Sequence, residues 1–101
     1  MIRHIVTFVW NEDTTPAHVD AIMARLNRLP ELVPALAGYE FGPDLNVTDG
    51  TGDFAIIATV ATVADLRSYL DHPDHREVAR DLRAMARSRT AVQIETTSAS
   101  I

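Results

Sequence analysis

The chain of 101 residues has no cysteine. Disulfides and thiol chemistry are excluded, and the best structural zinc ligand is missing. Lysine is absent too, because all nine basic residues are arginine. That excludes Schiff-base chemistry on a lysine amine. No apolar run approaches the roughly 18 residues that a membrane span needs, and no basic segment leads into an apolar stretch as a secretory signal would. A cytoplasmic location is expected by default. There is no phosphate-binding glycine loop and no dinucleotide fingerprint, and Ser68, Ser88, Ser98 and Ser100 lack a nucleophile-elbow context. Fourteen acidic residues give a net charge of −5, which disfavours nucleic acid and anionic membranes as partners. What remains for a catalyst is His, Tyr, Asp, Glu and Arg, with no redox cofactor. Its chemistry would be proton transfer: aldol-type closure, enolisation, isomerisation or elimination.

What is present starts with strands that are apolar on both faces. In residues 2–10, Ile2, His4, Val6, Phe8 and Trp10 share one face and Arg3, Ile5, Thr7 and Val9 the other. The run Phe54 to Val60 behaves alike. A strand with one wet face alternates apolar and polar residues, so both faces of this sheet want cover. One domain of this length has too few helices for that, and the second cover is expected to be another copy of the chain. The outward face is expected to carry Arg3, Ile5, Thr7 and Val9 with Ile56, Ala58 and Val60, a parity that a one-residue slip would reverse.

Thr15 and Pro16 read as the cap and first turn of a helix, with Val19, Ile22, Met23, Leu26 and Leu29 as its apolar stripe. Pro30 and Pro34 are expected to end it before a short strand at 39–41. The polar stretch 45–52, with Asp49-Gly50 and Gly52, reads as a hairpin loop. A third strand is expected at 53–61, followed by a capping box at Thr62 and Asp65 and a helix carrying Leu66, Tyr69 and Leu70. Pro73 interrupts that helix. A further helix spans 74–87 with Val78, Ala79, Leu82 and Met85 inward, and a last strand spans 89–96. The order βαββαβ is the α+β ferredoxin-like plan, and two such sheets face to face make a dimeric α+β barrel. The domain is expected to occupy 1–97, with 98–101 as a frayed tail.

His4 sits inside the first strand, where an aliphatic residue would be cheaper to bury. It reads either as a core histidine bonded to a backbone carbonyl or as a base in a cavity. In Asp71-His72-Pro73-Asp74-His75 the proline spoils helical spacing for a metal. Asp71 or His72 is better read as the cap of the next helix, with Pro73 at its start and Asp74 favouring its N-terminus. His75, one turn in, and Tyr69 are expected to point toward the sheet. Arg76, Arg80, Arg83, Arg87 and Arg89 form a basic stripe, read as a solvated face balanced by Glu77 and Asp81.

The opening Met1-Ile2-Arg3-His4-Ile5-Val6 and the motif Tyr69-Leu70-Asp71-His72-Pro73-Asp74-His75 resemble the stress-responsive dimeric α/β-barrel (Dabb) family from end to end. The resemblance implies a ferredoxin-like subunit that forms a homodimer through its sheet. Among the family's enzymes the chain is similar to olivetolic acid cyclase, a plant polyketide cyclase that closes a poly-β-ketone without metal or cofactor. Carried over, His75 would be the base, Tyr69 would hold the carbonyl end of the substrate, and His4 would line the same pocket. Ile22 and Met23 of the first helix, Ile57 of the third strand, and Arg89 and Gln93 of the last strand would line it further. The chain departs from the cyclase in having Ala55 where another pocket histidine falls, and in its scarce aromatic lining. Three readings follow: a cofactor-free enzyme acting on a small carbonyl compound; a non-catalytic stress-responsive or ligand-binding dimer; and a cofactor-free monooxygenase, supported only by Trp10 and Tyr39.

Overall fold

The computed structural model describes residues 1–100, so Ile101, the end of the expected tail, lies outside the described residues. The element order is β1 (Ile2–Trp10), α1 (Pro16–Leu26), α2 (Leu29–Leu32), β2 (Gly38–Pro43), β3 (Phe54–Val60), α3 (Val63–Asp71), α4 (Pro73–Met85) and β4 (Ala86–Glu95). The strands form one antiparallel sheet in the order β2-β3-β1-β4. This is the ferredoxin-like βαββαβ fold, with its helices on one face of the sheet.

Local chemistry sets the helix boundaries. The Thr15 hydroxyl accepts from the His18 N–H, and the His18 ring returns the favour to the Thr15 N–H, so two otherwise orphaned donors are satisfied. Pro30 does not end a helix as expected. It lies in the first turn of α2, where its missing N–H has no partner to lose. Val33, just before Pro34, turns extended, as the residue before a proline prefers. Helix α4 passes into β4 without a loop, so β4 begins at Ala86 rather than 89. A bulge opposite Val9 and Trp10 absorbs the extra residue.

The register fixes which face each strand presents. His4 pairs with Ala58, Val6 with Ile56 and Phe8 with Phe54, while Ile5 pairs with Ile57 and Arg3 with Thr59. Opposed residues share a face. Ile56, Ala58 and Val60 therefore lie beneath the helices, at 4 % exposure or less, and not on the outer face. The expected parity of β1 holds and that of β3 is reversed. Ile57 belongs to the outer face with Ile5 and Val92, its neighbours across the sheet. Under the helices the core joins Val6, Phe8, Phe54, Ile56 and Val60 to Ile22, Leu26, Leu29, Val33, Leu66, Tyr69, Val78 and Leu82. The outer face keeps Val92 and Ile94 exposed.

The 45–52 segment is held at its base by Asp44, whose carboxylate accepts from the Asn46 N–H and the Thr51 hydroxyl. Asn46 and Gly50 take positive φ within it, as its turns require. The Asp53 carboxylate accepts from the Trp10 N–H, tying the end of the loop to β1.

The reversed parity gives the first prediction. Ile56→Ala should cost about 2–5 kcal/mol in urea unfolding, as a core truncation does. Ile57→Ala, on the outer face, should cost clearly less when both variants are unfolded at a protein concentration low enough for the subunit to be monomeric. Equal losses would contradict the register.

Candidate active site

The chemistry-bearing side chains meet where α3 breaks into α4. Pro73 has no N–H to continue the ladder of α3, and His72 turns extended between the helices. In a continuous helix the Asp74 N–H would bond to the Leu70 carbonyl. Here it bonds to Nδ1 of His72, 3.2 Å away, so His72 caps α4 as expected. The Leu70 carbonyl is released, and Nδ1 of His75 lies 3.1 Å from it. A carbonyl can only accept, so Nδ1 of His75 carries the proton. In the neutral ring, Nε2 then holds the free lone pair.

Tyr69, one turn before the break, packs against His75 with ring centroids 4.2 Å apart. On its other side it meets His4 edge-on at 6.2 Å. Tyr69 is 2 % exposed, and its hydroxyl shares a hydrogen bond of 3.0 Å with that of Tyr39. His4, on β1, is 3 % exposed. It does not bond to a backbone carbonyl: its Nδ1 lies 3.0 Å from the side-chain amide nitrogen of Gln93, its partner across to β4. The amide donates, which leaves the ring proton on Nε2. No buried side-chain nitrogen or oxygen among the described residues lacks a partner. The Nε2 atoms of His4 and His75 make no hydrogen bond within the protein, so they must face open space.

A cavity of about 360 Å³ lies between the sheet and α3 and α4, at the small end of ligand cavities. His4, Tyr69, His75, Arg89 and Gln93 all line it. Ala79 and Ala91 leave it room, and Leu26, Val78 and Leu82 give it an apolar floor. Of the other residues assigned to a pocket, Ile22 is buried in the core, Met23 packs against that core, and Ile57 lies on the opposite face of the sheet. None of the three reaches the cavity lining. Ala55 shares that opposite face, pairing with Thr7, so a histidine there would not point into this cavity. Trp10 and Tyr39 also stay out of the lining. Trp10 stacks on Phe8, and Tyr39 touches the site only through Tyr69. No residue of 45–52 lines the cavity.

Arg83 is the charged lining residue that sequence reasoning missed as part of a site. Its signal was there, because His75, Ala79 and Arg83 recur every four residues along one face of α4. Among the described residues no three His, Asp or Glu side chains gather where they could hold a metal ion.

Burial sets the electrostatics. His75 is held below the ordinary histidine value by desolvation, which outweighs its bond to Leu70. Arg83, Arg89 and His72 press it further down. His4 is lowered by desolvation, then by Arg89 and by His75. Both rings are therefore neutral at pH 7. Burial pushes the Tyr39 hydroxyl up to about 12, with its hydrogen bond to Tyr69 offsetting part of the rise. Tyr69 is pushed higher still by burial and by Tyr39. At neutral pH the site holds one free imidazole lone pair at His75, one ring N–H at His4 and a protonated phenol at Tyr69.

The stress responsive A/B barrel domain (Dabb) model matches residues 2–96, and the chain belongs to that family. No curated protein matches the sequence. Among solved structures, a dimeric ferredoxin-like protein of unknown function from Thermobifida fusca YX is 40% identical, with a TM-score of 0.89, over 94% of this chain and 90% of that one. Hydroxynitrile lyase from Passiflora edulis is 19% identical at a TM-score of 0.86, over 99% and 96% of the two chains. SnoaB, a cofactor-independent oxygenase from Streptomyces nogalater, is 16% identical at 0.76, over 97% and 94%. The last two likenesses are of fold. No helix of the chain is long and apolar enough to cross a membrane.

The lowered histidines make stability depend on pH. The unfolded rings titrate at about 6.5 and the folded ones below that, so the unfolded chain binds more protons between the two values. Stability is complete above the unfolded value and is lost as pH falls through the folded ones. Melting temperature should therefore drop between about pH 7 and pH 5, where carboxylates contribute little. The His4→Gln/His75→Gln double variant should show a flatter slope.

Proposed function

We propose that the protein is a homodimer, closed through the outer faces of its sheets, that binds a small carbonyl compound and catalyses proton transfer on it without a cofactor. One observation carries the catalytic part of this reading: His4, Tyr69 and His75 all line one cavity, and each histidine is bonded through Nδ1 with its Nε2 left without a partner in the protein. In the reaction, Nε2 of His75 takes a proton from the carbon next to the carbonyl. The C–H electron pair becomes the C=C of an enolate, and negative charge moves to oxygen. The Tyr69 hydroxyl, accepting from Tyr39, donates to that oxygen, and the His4 N–H supports it. The imidazolium then returns the proton to carbon or passes it to a leaving group. Enolisation, aldol closure and elimination of a β-leaving group share this first step.

The homodimer rests on the outer sheet face, where Ile5, Ile57 and Val92 form an apolar row across three strands. Leu45 and Val47 of the hairpin loop are strongly exposed and flank a hollow that includes Thr7 and Ala55 of the same face. The relative from Thermobifida fusca is described as dimeric. A contiguous apolar surface of this kind marks an interaction site.

A second reading, a binding dimer without turnover, is favoured by the bond that already occupies the Tyr69 hydroxyl. Deuterium exchange at the α-carbons of butanone, methyl levulinate and levulinate, followed by proton NMR in heavy water, decides between the two. The wild type should accelerate exchange of at least one compound, and His75→Gln should lose at least about 100-fold of that rate while remaining folded. The rate should rise with pH and level off once His75 is neutral, below the ordinary histidine value. A wild type with no exchange above background, or unimpaired exchange in His75→Gln, would leave the binding reading. Ile57→Asp should convert the protein to a folded monomer by light scattering, whereas a dimer in that variant would count against the sheet interface.

A further inference from the structure

We infer that the ligand of this cavity is an anion, a small oxo-carboxylate, whose carboxylate is held at the mouth by Arg83 and Arg89. The inference rests on the reading above for the carbonyl part of the ligand. For the anionic part it rests on the charge lining the cavity.

Arg83 and Arg89 are the charged residues of the lining, with no aspartate or glutamate among its members. In a chain with 14 acidic residues and nine arginines, a wall with two cations and no carboxylate runs against composition. The stripe was expected to be balanced by Glu77 and Asp81, and the balance does not reach these two arginines. Asp81 pairs with Arg25 at 2.6 Å and lies 3.5 Å from Arg80. Among the described residues, Glu77, Arg83 and Arg89 take part in no ion pair.

The two guanidinium groups come from different elements, Arg83 from α4 and Arg89 from β4. They border the cavity on its helix side and its strand side. Arg89 is opposite Phe8, so it sits on the helix-covered face and a dimer through the outer face would leave it at the mouth. Both side chains are exposed, and the imidazoles lie deeper. A ligand bound with its negative group outward would thus bring its carbonyl end to Tyr69 and His75. Planar guanidinium forks match carboxylates with paired hydrogen bonds. The field of Arg83 and Arg89 already reaches His75, so a charge at the mouth is felt at the base.

The test compares levulinate with its methyl ester, a pair differing in the charged group, by isothermal titration on the wild type, on Arg83→Met/Arg89→Met and on Arg87→Met. Arg87 belongs to the same stripe and is absent from the lining. The wild type should bind levulinate at least about tenfold more tightly than the ester, with the advantage shrinking as salt rises. The double variant should lose that advantage and keep the ester affinity, with Arg87→Met unchanged. Equal binding of acid and ester, an advantage that survives the double variant, an equal loss in Arg87→Met, or binding of neither compound would each overturn the inference. Exchange at the α-carbon is read separately. Arginine-dependent binding of the acid without exchange would sink the catalytic reading and leave the anion site standing. His75-dependent exchange of the ester, with no preference for the acid, would do the reverse.

Discussion

The candidate site depends on one missing hydrogen-bond donor. Proline at 73 cannot continue the backbone ladder of α3, and three consequences follow within three residues. His72 becomes the cap of the next helix, the Leu70 carbonyl loses its helical partner, and His75 supplies the replacement from its ring. A backbone carbonyl at a helix C-terminus is an obligatory acceptor that must find a donor. Satisfying it with Nδ1–H fixes both the orientation and the tautomer of His75. The bond itself is worth only about 1 kcal/mol. Its effect is to settle which nitrogen can act as a base, a choice that a free imidazole leaves open.

The sheet does separate work on its two faces. Helices cover β2, β3 and β1, while β4 remains exposed along nearly its whole length. As an edge strand it carries Arg89, Ala91 and Gln93 on the helix-side face without a helix directly above them, and the cavity opens there. On the reverse face the same strand contributes Val92 and Ile94 to the apolar surface. Since strand side chains alternate, a change at one residue of β4 acts on the cavity or on the sheet's outer surface, and seldom on both.

The fold was legible in the sequence where residues carried unambiguous marks. Arg3 and Thr7 put the polar residues of β1 on one face, so the parity of that strand could be read. Phe54 to Val60 carries only Thr59 as such a mark, near its end, and the pairing of Ile5 with Ile57 decides which residues go under the helices. The His72-Pro73 break, its cap, and the shared direction of Tyr69 and His75 were legible because proline acts locally. The lining was less so. Ile22 and Met23 do face inward, but inward for α1 means the core of the subunit, and only Leu26 at the C-terminal end of that helix reaches the cavity. Position along the helix axis is tertiary information that periodicity does not hold. Arg83 was hidden for the opposite reason, since it is as exposed as the other arginines of α4, and nothing in the stripe's spacing tells the one that borders the cavity from Arg76 and Arg80, which do not.

Arg83 and Arg89 also bear on how a depressed base could work. Beside two cations and largely out of water, His75 is reliably neutral, yet each proton it takes creates a third positive charge in the same small volume. For a neutral substrate that cost falls on the transition state. The enolate formed at the same moment offsets part of it, because the arginines attract the charge that develops on oxygen. A carboxylate resting between the arginines offsets more, because it lowers the positive potential before the proton moves. In the proposed reaction the anion is therefore more than a handle for affinity: it raises the proton affinity of His75 in the complex, while the empty site keeps its base unprotonated. Substrate charge and base strength are coupled through the same two guanidinium groups, and this coupling gives physical sense to a wall of unpaired arginines in an acidic protein.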